Sequence, residues 1–298
     1  MHRSTFSLPS GLRTITLTVL ALVAFAANSV LCRLALGEKT IDASSFTTIR
    51  LLSGAIVLLV ILQFSGKKNN TSTKGSWLAT IMLFLYAAPF SFAYITLDIG
   101  TGALILFGAV QITMIALSLI SGNTLHATEW MGVIIAFIGF VYLVLPGVST
   151  PSVTGFSLMT IAGIAWGIYT LKGRGSVNPL SDTAYNFARS IPIVLVLAVL
   201  AYQTAYISLK GVLLAIISGG VASGIGYTIW YTALGGLSAT QAAVVQLSVP
   251  VIAALGGVIF VSEKISLRLT ISALLILGGI LMVTLGKYYT TSKPEVIT

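Results

Sequence analysis

Two arginines interrupt long apolar runs at matching places, Arg50 in FTTIRLLSG and Arg189 in YNFARSIPI, 139 residues apart. A guanidinium is costly to take out of water, so each needs a structural or chemical reason to be there. The residue types leave two readings open. In one, each arginine pins a helix end and pairs with Asp42 or Asp182. In the other, it gates a passage or receives a substrate carboxylate. Glu263, near the end of another apolar run, is the third candidate for gating or charge pairing. Arg33 and Lys172 lie at the ends of such runs and read as anchors.

Uncharged polar groups at depth are the better binding candidates. Asn28, Gln111 and Gln246 carry amides that must find partners in other helices or in a wet cavity. Pro250, four residues after Gln246, removes a helix hydrogen bond and is expected to kink its segment and free a carbonyl at that level. Aromatic residues recur at helical spacing: Tyr86, Phe90 and Tyr94 on one face, Tyr227, Trp230 and Tyr231 on another, and Trp166 with Tyr169. Packing and interfacial belts account for many such stripes. Together with the amides they would also line a cavity for a molecule with an apolar body and polar ends. The candidate substrate-binding set is therefore Asn28, Tyr86, Tyr94, Gln111, Trp166, Tyr227, Trp230 and Gln246.

Other chemistries find little support. His2 and His126 lie apart, no Cys/His cluster could hold a metal, and no catalytic residues or cofactor are expected. There is no phosphate-binding GxxxxGK[ST] loop. GGVASGIG at 219–226 resembles a dinucleotide fingerprint but lies in an apolar run with no strand before it, so close helix packing is its expected role. Cys32 is the one cysteine and reads as a small packed hydrophobe. Carboxylates avoid mid-segment positions: Asp98 and Glu263 fall near segment ends and Glu129 opens a segment. Without a central titratable group, any transport is expected either to be uncoupled, as facilitation or exchange, which is favoured, or to couple through a segment-end residue such as Glu263.

Only 8% of the 298 residues are charged and 56% are hydrophobic, with a mean hydropathy of +1.02. Soluble domains carry about 25% charged residues. The chain is expected to be an all-α, polytopic membrane protein with the lipid bilayer as its main surroundings. Ten apolar segments can be marked: 14–36, 43–64, 75–96, 99–121, 128–146, 154–172, 183–203, 211–233, 237–261 and 267–287. Most are long enough, at about 1.5 Å per residue, to cross about 30 Å of hydrocarbon. The first exceeds a signal-peptide core and is expected to be retained. The net charge of +9 comes from residues scattered between apolar runs, which excludes a nucleic-acid stripe. Nine Lys and Arg fall on the side of the N-terminus and five on the other, with Arg50 and Arg189 set aside as intrahelical, so both termini are expected in the cytoplasm.

The chain also repeats. At an offset of 139, Ala26 falls on Ala165, Arg50 on Arg189, Val110 on Val249 and Gly139 on Gly278. Two copies, 14–146 and 153–287, would each hold five helices. Five is odd, so the second copy starts on the opposite side of the bilayer, the inverted-repeat plan of many secondary transporters. Ten transmembrane helices around a central cavity are expected.

These features resemble the EamA-type branch of the drug/metabolite transporter superfamily, which includes YddG-like amino-acid exporters. The resemblance rests on the tandem repeats, on the arginine in FTTIRLLSG and YNFARSIPI, on AGIAWGIYTLKGR, and on TQAAVVQLSVPVIAALGGVIFVSEKIS with its proline and terminal acid. The first repeat departs from the pattern, with Gln111 where Pro250 stands and Thr124 where Glu263 stands. The resemblance implies a transporter of the bacterial-type inner membrane, working by alternating access on a small-molecule substrate. Neutral or aromatic amino acids are the favoured class. Export of amphipathic drugs or of other metabolites is the alternative, and a membrane enzyme or scaffold a minor one. The resemblance leaves the oligomeric state open, and a monomer is compatible with it.

Overall fold

A computed structural model describes residues 10–64, 73–120, 122, 127–144, 151–237, 242 and 245–291. The loop residues Lys67, Lys68, Asn69 and Asn70, together with Thr124, His2 and His126, lie outside them. The chain folds into α1 (Ser10–Gly37), α2 (Ala43–Phe64), α3 (Trp77–Ala93), α4 (Ile99–Ile120), α5 (Ala127–Val144), α6 (Val153–Gly173), α7 (Pro179–Leu200), α8 (Leu209–Leu234), α9 (Val249–Val261) and α10 (Leu267–Thr291). Among the described residues there are no strands, and one isolated antiparallel bridge joins Ile41 to Ile207. Six spans, in α1, α2, α4, α6, α7 and α8, are long and apolar enough to cross a membrane, and α3, α5, α9 and α10 hold shorter apolar stretches. Their outward faces carry side chains such as Ile56, Phe137, Val199, Ile259 and Leu274 in the open, an apolar surface that suits lipid and not water.

Short polar turns start the helices. Asp42 accepts from the Ser44 and Ser45 N–H groups, and Ser76, Ser152, Asn178 and Ser208 each accept from a backbone N–H three residues on. Asn178 followed by Pro179 starts α7 four residues earlier than hydropathy alone suggests. Residues 245–261 do not form one kinked helix. Leu247 and Ser248 form a turn, and Pro250 stands in the first turn of α9, where its missing N–H costs nothing.

Helix pairing follows a pattern. α2 packs on α7 and α5 on α10; α3 and α4 both pack on α6, while α8 and α9 both pack on α1. Glycines set the closest approaches. Gly132 of α5 and Gly279 of α10 face each other's carbonyls, and Gly219 of α8 sits so tightly on α2 that a Cβ there would lie 2.0 Å from the Arg50 carbonyl. The middle of α8, Ile217–Ile225, is π-helical. This is the GGVASGIG region, and its role in close packing is as expected, with an addition: the wider turn presents Ser218 and Ser223 inward.

Hydrogen bonds show which turns share an end. At one end Arg33, at the end of α1, bonds the Tyr94 and Ile95 carbonyls after α3; Thr96 meets Ser152 before α6; Asp42 bonds Tyr206 after α7; and Lys210 at the start of α8 pairs with Glu38. At the other end Gly75 and Ser76, before α3, donate to Asp182 and Asn186 of α7. Thus α6 begins at the end where α1 finishes.

Candidate functional site

Between the two ends lies a buried polar cluster built on Arg50. This side chain is 1% exposed, at the level where α2, α3 and α8 meet. Its Nε donates to Ser223 Oγ at 3.0 Å, and its Nη2 donates to the phenolic oxygens of Tyr86 at 3.1 Å and Tyr227 at 2.9 Å. The two phenols are 3.1 Å apart. Ser223 in turn donates to Asn28 Oδ1 at 3.2 Å, and that oxygen also accepts from Ser218 at 2.8 Å. A continuous chain of hydrogen bonds therefore runs from α1 through α8 to α2 and α3. The guanidinium carbon lies 5.2 Å from the Tyr86 ring centre and 4.9 Å from that of Phe90, within reach of both π faces.

Aromatic rings enclose this core. Trp166 packs on Tyr86 and Tyr227 with ring centres 4.8 and 4.6 Å apart, and Phe25 meets Trp166, Tyr227 and Trp230 edge-on. Two aromatic ladders lead away from it. Trp166, Tyr169 and Tyr231 follow one another towards a cleft of about 360 Å³ lined by Ser76, Lys172, Arg174, Asp182 and Asn186. Phe90 and Tyr94 lead the opposite way, towards a cleft of about 340 Å³ lined by Thr96, Asp98, Thr101, Ser152, Glu263 and Lys264. The cluster is closed to solvent from both clefts, since Asn28, Arg50, Tyr86, Trp166, Tyr227 and Trp230 are all buried.

Arg33 ties the helix ends together on the side of the second cleft. Its Nε lies 3.3 Å from Glu263 Oε1 and its Nη2 lies 3.4 Å from Asp98 Oδ1, while Nη1 donates to two carbonyls. Glu263 Oε2 accepts from the Ile99 N–H at 2.8 Å. Ser262, in the left-handed region at φ 56°, ends α9 and turns Glu263 back over Gly257, where a Cβ would strike its carboxylate. Burial pushes the Glu263 carboxyl above its ordinary value of 4.5, and the charge of Asp98 pushes the same way; Ile99 and Arg33 pull it down by less. For Asp42, burial is again the largest influence, but donors from Ser45, Tyr206 and Ser44 outweigh it together and hold the carboxyl below the usual range.

The structure brings Asn28, Tyr86, Trp166 and Tyr227 together around Arg50, and Trp230 joins them through Phe25. It puts other candidates elsewhere. Tyr94 is buried but donates to the Ile99 carbonyl on the Arg33 side. Gln111 is buried in α4. Gln246 is buried and bonds the Ala242 carbonyl through Nε2. Arg189 is half-buried with its guanidinium 5.6 Å from the Trp77 ring, so the two matched arginines occupy unlike surroundings. Neither expected aspartate partner is used: Asp42 caps α2, Asp182 accepts from Gly75, and Arg50 bonds hydroxyls instead. Glu263 pairs with Arg33, a residue read only as an anchor. Phe25, Ser218 and Ser223 join the cluster unforeseen. Phe25 is one apolar residue in an apolar run and gives no signal; the two serines sit in or beside a glycine-rich stretch that packing explains without them.

Among the described residues no group of three or more His, Cys, Asp or Glu could hold a metal. The acids described, at 38, 42, 98, 129, 182 and 263, all lie in turns or in a helix's first turn. The arrangement is suited to binding and release of a small molecule, with one cation and several donors amid rings.

The chain is similar to several known proteins. An uncharacterized protein of Pseudomonas aeruginosa is 46% identical over 271 residues, 91% of this chain and 94% of its own length. The uncharacterized transporter YoaV of Bacillus subtilis is 22% identical over 83% of this chain and 89% of its own. An uncharacterized transporter of Archaeoglobus fulgidus is 24% identical over 94% of this chain and 98% of its own. A protein of solved crystal structure superposes with a TM-score of 0.60 over 90% of this chain and 97% of its own at 17% identity, a likeness of fold alone. The EamA-like transporter family matches twice, over residues 12–145 and 153–285. With most of its length covered by those two matches, this multi-pass membrane chain belongs to the EamA-like transporter family.

Proposed function

We propose that the protein carries a small metabolite across the bacterial inner membrane by alternating access, with neutral or aromatic amino acids as the leading substrate class. The observation that carries this reading is the sealed Arg50 cluster, set between two clefts at opposite ends of the bundle and joined to each by an aromatic ladder. On this reading residues 14–146 and 153–287 are inverted five-helix repeats, ten membrane-crossing helices in all. The pairing of α2 with α7, of α5 with α10, and of α3 and α4 with α6 as α8 and α9 with α1 supports that symmetry. Both termini are cytoplasmic, which turns Lys74, Lys172 and Arg174 inward. Exchange between the two faces proceeds without a coupled ion, because the described acids lie at the ends and none of them joins the central cluster. One copy of the chain holds the whole site, so a monomer is the working unit. A cationic drug is the poorer fit to a centre whose charge is positive.

Uptake and counterflow of labelled phenylalanine, tryptophan and leucine into proteoliposomes test the reading. Flux of at least one, reduced by Trp166→Ala at unchanged protein level, is expected. Absence of flux for all three, with the protein shown to be folded, would overturn the amino-acid assignment.

A further inference from the structure

We infer that the Arg50 cluster recognises its substrate by a single carboxylate, and that it reads no ammonium group. The inference rests on the reading of this cluster as the transport site, and it goes further by naming the group that is bound.

Three observations point to it. First, Arg50 is a buried cation with no anion in contact among the described residues: its partners there are three hydroxyl groups and two rings. Arginine keeps its charge even when buried, so the balancing charge has to come from what binds there. Second, the spare groups of the cluster are donors. Arg50 Nη1, Asn28 Nδ2, Trp166 Nε1 and Trp230 Nε1 are buried without a hydrogen-bond partner among the described residues. The two phenols add another, since each oxygen accepts from Nη2 and only one of their two hydrogens can lie between them. The amide oxygen of Asn28 is already taken by two serines. An ionised carboxylate is the acceptor-only ligand that suits a cluster whose unpartnered nitrogen atoms are all donors, and one arginine among apolar rings suits one negative charge. Third, no aspartate or glutamate among the described residues reaches the cluster, so an α-ammonium would gain no charged partner and would face Arg50. The rings of Phe25, Trp166 and Trp230, meeting edge-on at Phe25 beside the cluster, supply apolar surroundings for the body of such a ligand. The recognised class is then an apolar or aromatic monocarboxylate, of which amino acids are members by their carboxylate alone.

Binding of three matched probes to the purified full-length protein separates the possibilities: 3-phenylpropionate has the carboxylate only, phenylalanine both charges, and 2-phenylethylamine the ammonium only. Equilibrium binding with labelled probes is expected to give 3-phenylpropionate an affinity equal to or better than that of phenylalanine, and 2-phenylethylamine one at least about tenfold weaker. Arg50→Gln is expected to weaken both carboxylates by about tenfold or more, whereas Arg189→Gln leaves all three probes unchanged. The wild-type series stands alone if Arg50→Gln fails to fold. Tighter binding of phenylalanine than of 3-phenylpropionate by about tenfold would show a required ammonium partner and overturn the inference. So would binding of the amine as tight as that of the carboxylates, failure of both carboxylates to bind, or unchanged affinities in folded Arg50→Gln. Flux measured in parallel keeps the two readings apart. Carboxylate binding without flux leaves the inference standing and removes the transport role; flux that ignores the carboxylate does the reverse.

Discussion

The Nη2 of Arg50 donates to the Tyr227 hydroxyl at 2.9 Å, a bond between α2 and α8 that ties residues 177 positions apart in sequence. The same nitrogen reaches Tyr86 of α3, so one guanidinium group holds three helices at the centre of the bundle. Any movement that opens the cluster has to break or lengthen these bonds.

Removing one phenolic hydroxyl should therefore loosen the centre. Tyr227→Phe and Tyr86→Phe are each expected to cost about 1–2 kcal/mol of stability, read as thermal unfolding in detergent. The double variant should cost more than the sum, because Nη2 then loses both acceptors in a buried place. Strict additivity would mean that the two hydroxyls do not share the arginine.

The contact of α8 on α2 depends on Gly219. A Cβ there would lie 2.0 Å from the Arg50 carbonyl and 2.1 Å from Ser53 Oγ, whereas at Gly220 the nearest atom is Val57 Cγ2 at 3.0 Å. Gly219→Ala is expected to lower stability by about 1–3 kcal/mol and to reduce transport, with a clearly smaller effect for Gly220→Ala. Equal effects on melting temperature and flux would contradict the tight crossing.

Acid should keep the Arg33 side shut. The folded Glu263 carboxyl titrates above 4.5 because burial disfavours its charge. A group with a raised pKa binds protons more readily in this conformation than when hydrated, so its favourable contribution is present at low pH and is lost as pH rises through the folded value. Lowering pH from neutral towards 4.5 is thus expected to slow labelling of Thr101→Cys, beside the 340 Å³ cleft, by a membrane-impermeant maleimide. The experiment uses a Cys32→Ala background. Glu263→Gln should remove the pH dependence, while Arg33→Gln, which strands Glu263 and Asp98 together, should raise labelling at neutral pH. Faster labelling in acid would mean that protonating Glu263 opens this side.

Much of the architecture was legible because lipid imposes a simple rule: apolar length marks a helix. The segments 43–64, 99–121 and 154–172 fall almost where α2, α4 and α6 do. The early start of α7 was also written in the chain, in Asn178–Pro179, but as a capping signal that hydropathy ignores. The centre was only partly readable. Tyr86, Trp166, Tyr227 and Trp230 stand out as large rings with a polar atom, and Asn28 as an amide in an apolar run. The matched arginines could not be told apart, because what separates them is three-dimensional: Arg50 faces α8 where a π-helical turn presents Ser223, and Arg189 faces Trp77. The Arg33–Glu263 pair joins positions 230 residues apart, and spacing alone gives no hint of it.

The most direct test of alternating access is whether the level of Arg50 can be reached from both faces. Ser223→Cys, in a Cys32→Ala background, places one thiol against the guanidinium and Asn28. Thiol reagents that cannot cross lipid would be applied to sealed vesicles of each orientation, with and without phenylalanine. Alternating access predicts slow labelling from either face, and protection by substrate on both. Labelling from one face alone, whatever the substrate, would contradict it.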